Sequence, residues 1–67
     1  MYDVIYVNGT RQARVLVAEV ERESAVSTAR TEARRRRVGR MFLAGSEPMD
    51  RGDMILIVES EHRAVAA

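Results

Sequence analysis

Six arginines fall between residues 30 and 40 against one acid, Glu32. A guanidinium is planar, always charged, and presents its donors as a fork that matches phosphate or carboxylate. The chemistry on offer is therefore anion binding. Successive helical residues turn by about 100°, so Arg34, Arg35, Arg36 and Arg37 cannot share one face. Arg30, Arg34 and Arg37 can, with no acid three or four residues away. Arg36 points towards the core side and must reach out past it, while Glu32 is placed to pair with Arg35 or Arg36. The candidate set is Arg30, Arg34, Arg35, Arg37 and Arg40, with nucleic acid or an acidic protein surface as partner. A solvated helix end that suits the macrodipole needs the same residues. The net charge of +1 and the lack of an aromatic in the run weigh against nucleic acid.

Other chemistry is sparse. The chain has no cysteine, hence no thiol nucleophile, disulfide or thiolate metal site. Its one histidine, His62, stands between Glu59, Glu61 and the C-terminal end, where it offers at most a loose metal site. No glycine-rich phosphate loop follows a strand. A Ser-His-Asp arrangement through His62 would need an ordered tail and a pocket that a chain of 67 residues can hardly enclose. Arg51-Gly52-Asp53 and Asn8-Gly9-Thr10 spell an integrin-type tripeptide and a glycosylation acceptor, and turns explain both. We expect no catalytic residue, cofactor, metal or small-molecule substrate, and so no enzyme.

The elements that must hold any site are legible in the hydrophobic pattern. Met54-Ile-Leu-Ile-Val58 is apolar without alternation, so a strand there has both faces covered and lies inside a sheet. Tyr2–Val7 is rich in β-formers. Asn8-Gly9 then predicts a two-residue type I′ turn into a second strand from Thr10 to about Val20. That turn would place Val4 opposite Ala13 and pair Asp3 with Arg14. One face would carry Tyr2, Val4, Tyr6, Ala13, Val15 and Val17, and the other Asp3, Ile5, Val7, Gln12, Arg14 and Leu16. A helix is predicted from about Arg22 to Arg37, with Ala25, Val26, Ala29 and Ala33 on its inner arc. Glu21 is a weak cap, and Gly39, which follows the arginines, is the expected C-terminal stop. Arg40–Ala44 and Asp53–Ser60 complete the strands, around the turn cluster Gly45-Ser46-Glu47-Pro48. The prediction is an α+β fold of order ββαββ. It has a mixed four-stranded sheet in the order 2-1-4-3 and one helix on one face, with strands one and four parallel in the centre. Residues 1–60 form one domain, and 61–67 are expected to fray.

A hairpin, a helix and a returning central strand look like the β-grasp, or ubiquitin-like, fold. The segments Arg40-Met41-Phe42-Leu43-Ala44-Gly45 and Met49-Asp50-Arg51-Gly52 are similar to the strand and turn after the helix in that fold. The resemblance implies the fold only. The chain ends Ala64-Val65-Ala66-Ala67, without the Gly-Gly of conjugated or sulfur-carrying members, so neither of those functions is implied.

So small a domain is marginal alone, and with no disulfide to brace it, oligomerisation is a natural support. Ile5, Val7, Leu16, Ile55 and Ile57 make up the predicted protein interface, because contiguous apolar surface marks contact. The expected partner is a second copy, as a dimer, or another protein. All eleven basic residues are arginine, which points to a GC-rich bacterium or its phage. No membrane-length apolar run or secretory signal is seen. We therefore expect a non-enzymatic protein-binding or self-assembling domain, accessory or structural, cytoplasmic or virion-associated.

Overall fold

The computed structural model describes residues 1–49 and 52–61. His62, Arg51 and the tail expected to fray from Glu61 onward, Glu61 itself excepted, lie outside them. The chain runs β1 (Tyr2–Val7), β2 (Ala13–Val20), α1 (Arg22–Arg35), β3 (Met41–Leu43) and β4 (Met54–Glu59). The four strands form one sheet in the order β2-β1-β4-β3, so the most apolar strand is central, as its pattern requires.

Strand directions differ from the sequence expectation. β4 runs antiparallel to β1 and parallel to β3, so the central pair is not the parallel pair of a β-grasp sheet. The reason is the link between β3 and β4. A hairpin needs about two to five residues, whereas segment 44–53 is long enough to run back past the three-residue β3 and enter β4 from the same end. β3 remains parallel to β2, as a crossover through the helix demands. The helix covers one face during that crossover. A right-handed return from β3 to β4 then belongs on the other face. Val7 and Met54 lie on that other face and are nonetheless buried, and Met49 of the return segment, itself exposed, lines an open hollow with Gly9, Thr10 and Arg11 of the first turn.

The first turn is longer than Asn8-Gly9 implies. Val7 pairs with Ala13 and Tyr6 with Arg14, so residues 8–12 form the loop. Asn8 accounts for it: its Oδ1 accepts from Thr10 N–H at 2.9 Å, Thr10 Oγ1 at 2.7 Å and Gln12 N–H at 3.1 Å. Asparagine is here an acceptor that gathers the loop, not half of a type I′ turn. β2 then slips twice against β1, between Val4 and Ile5 and between Tyr2 and Val4. Each slip is a β-bulge that re-aims the strand. The expected Asp3–Arg14 pair is therefore absent from the register, and Arg14 stands opposite Tyr6.

α1 ends without glycine. Arg37 adopts φ 56°, its N–H bonds Arg34 O at 3.2 Å, and Val38 N–H bonds Ala33 O at 2.8 Å. This is a Schellman closure with arginine in the left-handed position. Gly39 has an ordinary backbone and open space around it, so the stop assigned to it belongs to Arg37. Glu21 makes no side-chain cap bond. The core lies between helix and sheet: Val4, Ala25, Ala29, Val38, Ile55 and Ile57, with Tyr2, Tyr6, Leu16 and Val17 packed against it. Alanines on the helix let it approach the sheet closely, and the whole core is small.

Candidate functional site

Alternation along β1 and β4 sorts the sheet into two faces. Val4 pairs with Ile57 and Tyr6 with Ile55, and these four point at the helix. Ile55 and Ile57 are 0 % and 5 % exposed. The predicted interface set is thus divided. Ile55 and Ile57 belong to the core, Leu16 packs against that core, and Val7 is buried on the opposite face. Only Ile5 is a half-exposed residue of the helix-free face.

That face has its own apolar array. Ile5 pairs with Val15 on one side and Leu56 on the other, and Leu56 pairs with Phe42. Val15, Ile5, Leu56 and Phe42 therefore form one row across all four strands. Val15 is 42 % exposed, and Ile5, Leu56 and Phe42 are half-buried. Val58, two residues along β4, is also half-buried. Leu56 and Val58 were missed in the sequence because an unbroken apolar run gives no parity, and Val15 was set on the other face by the two-residue turn expected at Asn8-Gly9. The β1–β4 pairing assigns Leu56 and Val58, and the β1–β2 and β3–β4 pairings assign Val15 and Phe42.

One polar group sits beside this face. Asp3, opposite Val58, is 0 % exposed. Its Oδ1 accepts the Glu19 N–H at 2.8 Å and the Ser60 hydroxyl at 2.6 Å. Glu19 is in the left-handed region, φ 54°, so the carboxylate holds the second bulge of β2 and the end of β4 together.

The arginines divide as well. Arg36 donates from Nε to Glu32 at 3.1 Å and lies 4.8 Å over the Tyr6 ring. Arg35 reaches Glu32 at 3.5 Å and is mostly exposed. Arg40 stacks 5.6 Å over Phe42. Arg30 and Arg34 line a shallow stretch of helix surface with Arg22, Glu23 and Ser27. Arg37 projects from the Schellman turn. Below them, Tyr6, Asn8, Gln12, Arg14 and Arg36 line a cleft between the first turn and the helix end. Arg11 and Arg14, from the other side of the sequence, thus arrive at the same end of the sheet as Arg34–Arg37. Beside it the Tyr6 hydroxyl donates to Asp53 Oδ2 at 2.6 Å. This bond, helped by desolvation and the Asp53 charge and opposed by Arg36, raises the Tyr6 pKa above its ordinary value.

Among the described residues no helix is long and apolar enough to cross a membrane, and no three His, Cys, Asp or Glu are grouped to hold a metal. No family model matches the chain, and neither the curated proteins nor the solved structures compared with it contain a match.

Proposed function

We propose that this chain is a non-enzymatic self-associating module whose helix-free sheet face meets the same face of a second copy. The observation that carries the reading is the row Val15, Ile5, Leu56 and Phe42, which spans every strand without a charged member. Such a face suits a two-fold contact, because an uncharged row is complementary to itself. The small core supplies the driving force: a chain with alanines at the centre of its helix contact gains from any further apolar burial.

Size sets the strength. Four strands at about 4.8 Å spacing and about 20 Å of strand length give at most roughly 400 Å² per copy, less the part around Val7 and Met54 that is already buried. A standard stable interface buries about 800 Å² per partner. The dimer is therefore weak and concentration-dependent. Sedimentation equilibrium over a dilution series tests this. The wild type should shift reversibly from monomer to dimer, and Leu56→Asp should remain monomeric with an unchanged circular dichroism spectrum. A wild-type chain that stays monomeric at millimolar concentration overturns the proposal.

A further inference from the structure

Among the described residues the exposed glutamates and most exposed arginines stand at opposite ends of the sheet, with Arg22 at the acidic end, Asp53 at the basic end and Arg30 between them. Glu19, Glu21, Glu23, Glu59 and Glu61 are exposed at one end, where β2 and β4 finish and α1 begins. Arg11, Arg14, Arg34, Arg35 and Arg37 are exposed at the other. The near-neutral total hides this. The six residues of β4 separate the ends by about 20 Å, more than two Debye lengths at physiological salt. An anion at the basic end is screened from those five glutamates; among the described residues the acids beside it are Glu32, paired with Arg35 and Arg36, and Asp53, which accepts from Tyr6.

Two of these arginines occupy positions that suit glycine. Arg11 has φ 66° and Arg37 φ 56°, the left-handed region where a side chain is strained and glycine is not. Glycine codons are as GC-rich as arginine codons, so base composition does not explain the choice. Strain kept at exposed arginines points to a use for the side chains.

We propose that the basic end, formed by Arg11 and Arg14 of the first turn and strand with Arg34, Arg35 and Arg37 of the helix end, binds the phosphate backbone of nucleic acid. The five arginines come from two separated segments that meet at one end of the sheet; Arg14 lines the cleft there with Tyr6, Asn8, Gln12 and Arg36, and Arg11 and Arg34 line neighbouring hollows, so the surface can follow several phosphates of one strand. Contacts of this kind carry no base selectivity, and their affinity falls steeply with salt. The site is complete in one copy and does not depend on the assembly proposed above.

Fluorescence anisotropy of a short labelled single strand and of its duplex, titrated with the full chain from about 50 to about 200 mM salt, tests it. Binding should appear at the low end and weaken with salt. Arg11→Gly and Arg37→Gly should each lower affinity several-fold and flatten the salt slope by about 0.7–0.9. Each should also raise the melting temperature by a few degrees, since the strain is relieved. Arg22→Ala, at the acidic end, should bind as wild type. Absence of binding at low salt, or unchanged affinity in both glycine variants, overturns the proposal. So does salt-sensitive self-association that needs the same arginines without nucleic acid, which would make the acidic end of a second copy the partner.

Discussion

Replacing Asp3 with alanine should be among the most damaging single changes in this protein. The carboxylate is fully buried and accepts from Glu19 N–H at 2.8 Å and Ser60 Oγ at 2.6 Å. Hydrogen bonds to an ionised acceptor contribute roughly 1.5–3 kcal/mol each, and a stranded buried donor costs about 1–3 kcal/mol. Ser60 is half-buried and can turn its hydroxyl to water, whereas the Glu19 N–H is fixed by its bulge. A loss of about 3 kcal/mol follows. At about 0.05–0.15 kcal/mol per residue, the whole domain has roughly 3–10 kcal/mol. Urea unfolding followed by far-ultraviolet circular dichroism, at fixed protein concentration, should show the midpoint falling by about 3 M for a slope of about 1 kcal/mol/M. Asp3→Asn keeps an oxygen for both donors and should lose about 1 kcal/mol. An Asp3→Ala chain within about 0.5 kcal/mol of wild type, the range of a featureless surface substitution, would refute the claim that this carboxylate ties β2 to the end of β4.

Three further outcomes follow from the geometry. Ile55→Ala, at a fully buried core position, should cost about 2–5 kcal/mol, and Leu56→Ala, its half-buried neighbour, distinctly less; the reverse order in urea titrations would mean that the two faces are exchanged. In a Tyr2→Phe background, the phenolate absorbance of Tyr6 should titrate above its ordinary pKa of 10.0 and fall back in Asp53→Ala; no difference between the two would remove the Tyr6–Asp53 bond. Because the folded pKa is the higher one, the stability from that bond is complete below the unfolded pKa and is lost as pH rises through the folded value. Ile5→Asp should abolish self-association while Tyr2–Val20 keeps its strand content by circular dichroism, and an unaffected dimer would place the contact elsewhere.

The sequence made the element order and strand order readable because each rests on a strong local signal. Five consecutive apolar residues at 54–58 require a central strand, and small residues at 25, 29 and 33 mark the face of a close-packed helix. Direction and register were less legible. Asn8-Gly9 is a hairpin signal by dipeptide, but the Asn8 side chain bonds Thr10 and Gln12 and opens the turn to five residues. Segment 44–53 contains a turn cluster, but its length lets the chain return rather than fold back. That one difference reverses β4 relative to β1 and divides the predicted set Ile5, Val7, Leu16, Ile55 and Ile57 between two faces. Of the arginines, helical spacing identified those at the helix end. It could not identify Arg11 and Arg14, because the meeting of the first turn with the helix end is a property of the crossover.

The most direct test of the account is an isotope-filtered nuclear Overhauser experiment on a mixture of labelled and unlabelled chains at high concentration. It should give intermolecular contacts from the methyl groups of Ile5, Val15 and Leu56 and none from Ile55 or Ile57. Intermolecular contacts confined to Met41 and Leu43, on the helix side of β3, or none at all at millimolar concentration, would contradict it.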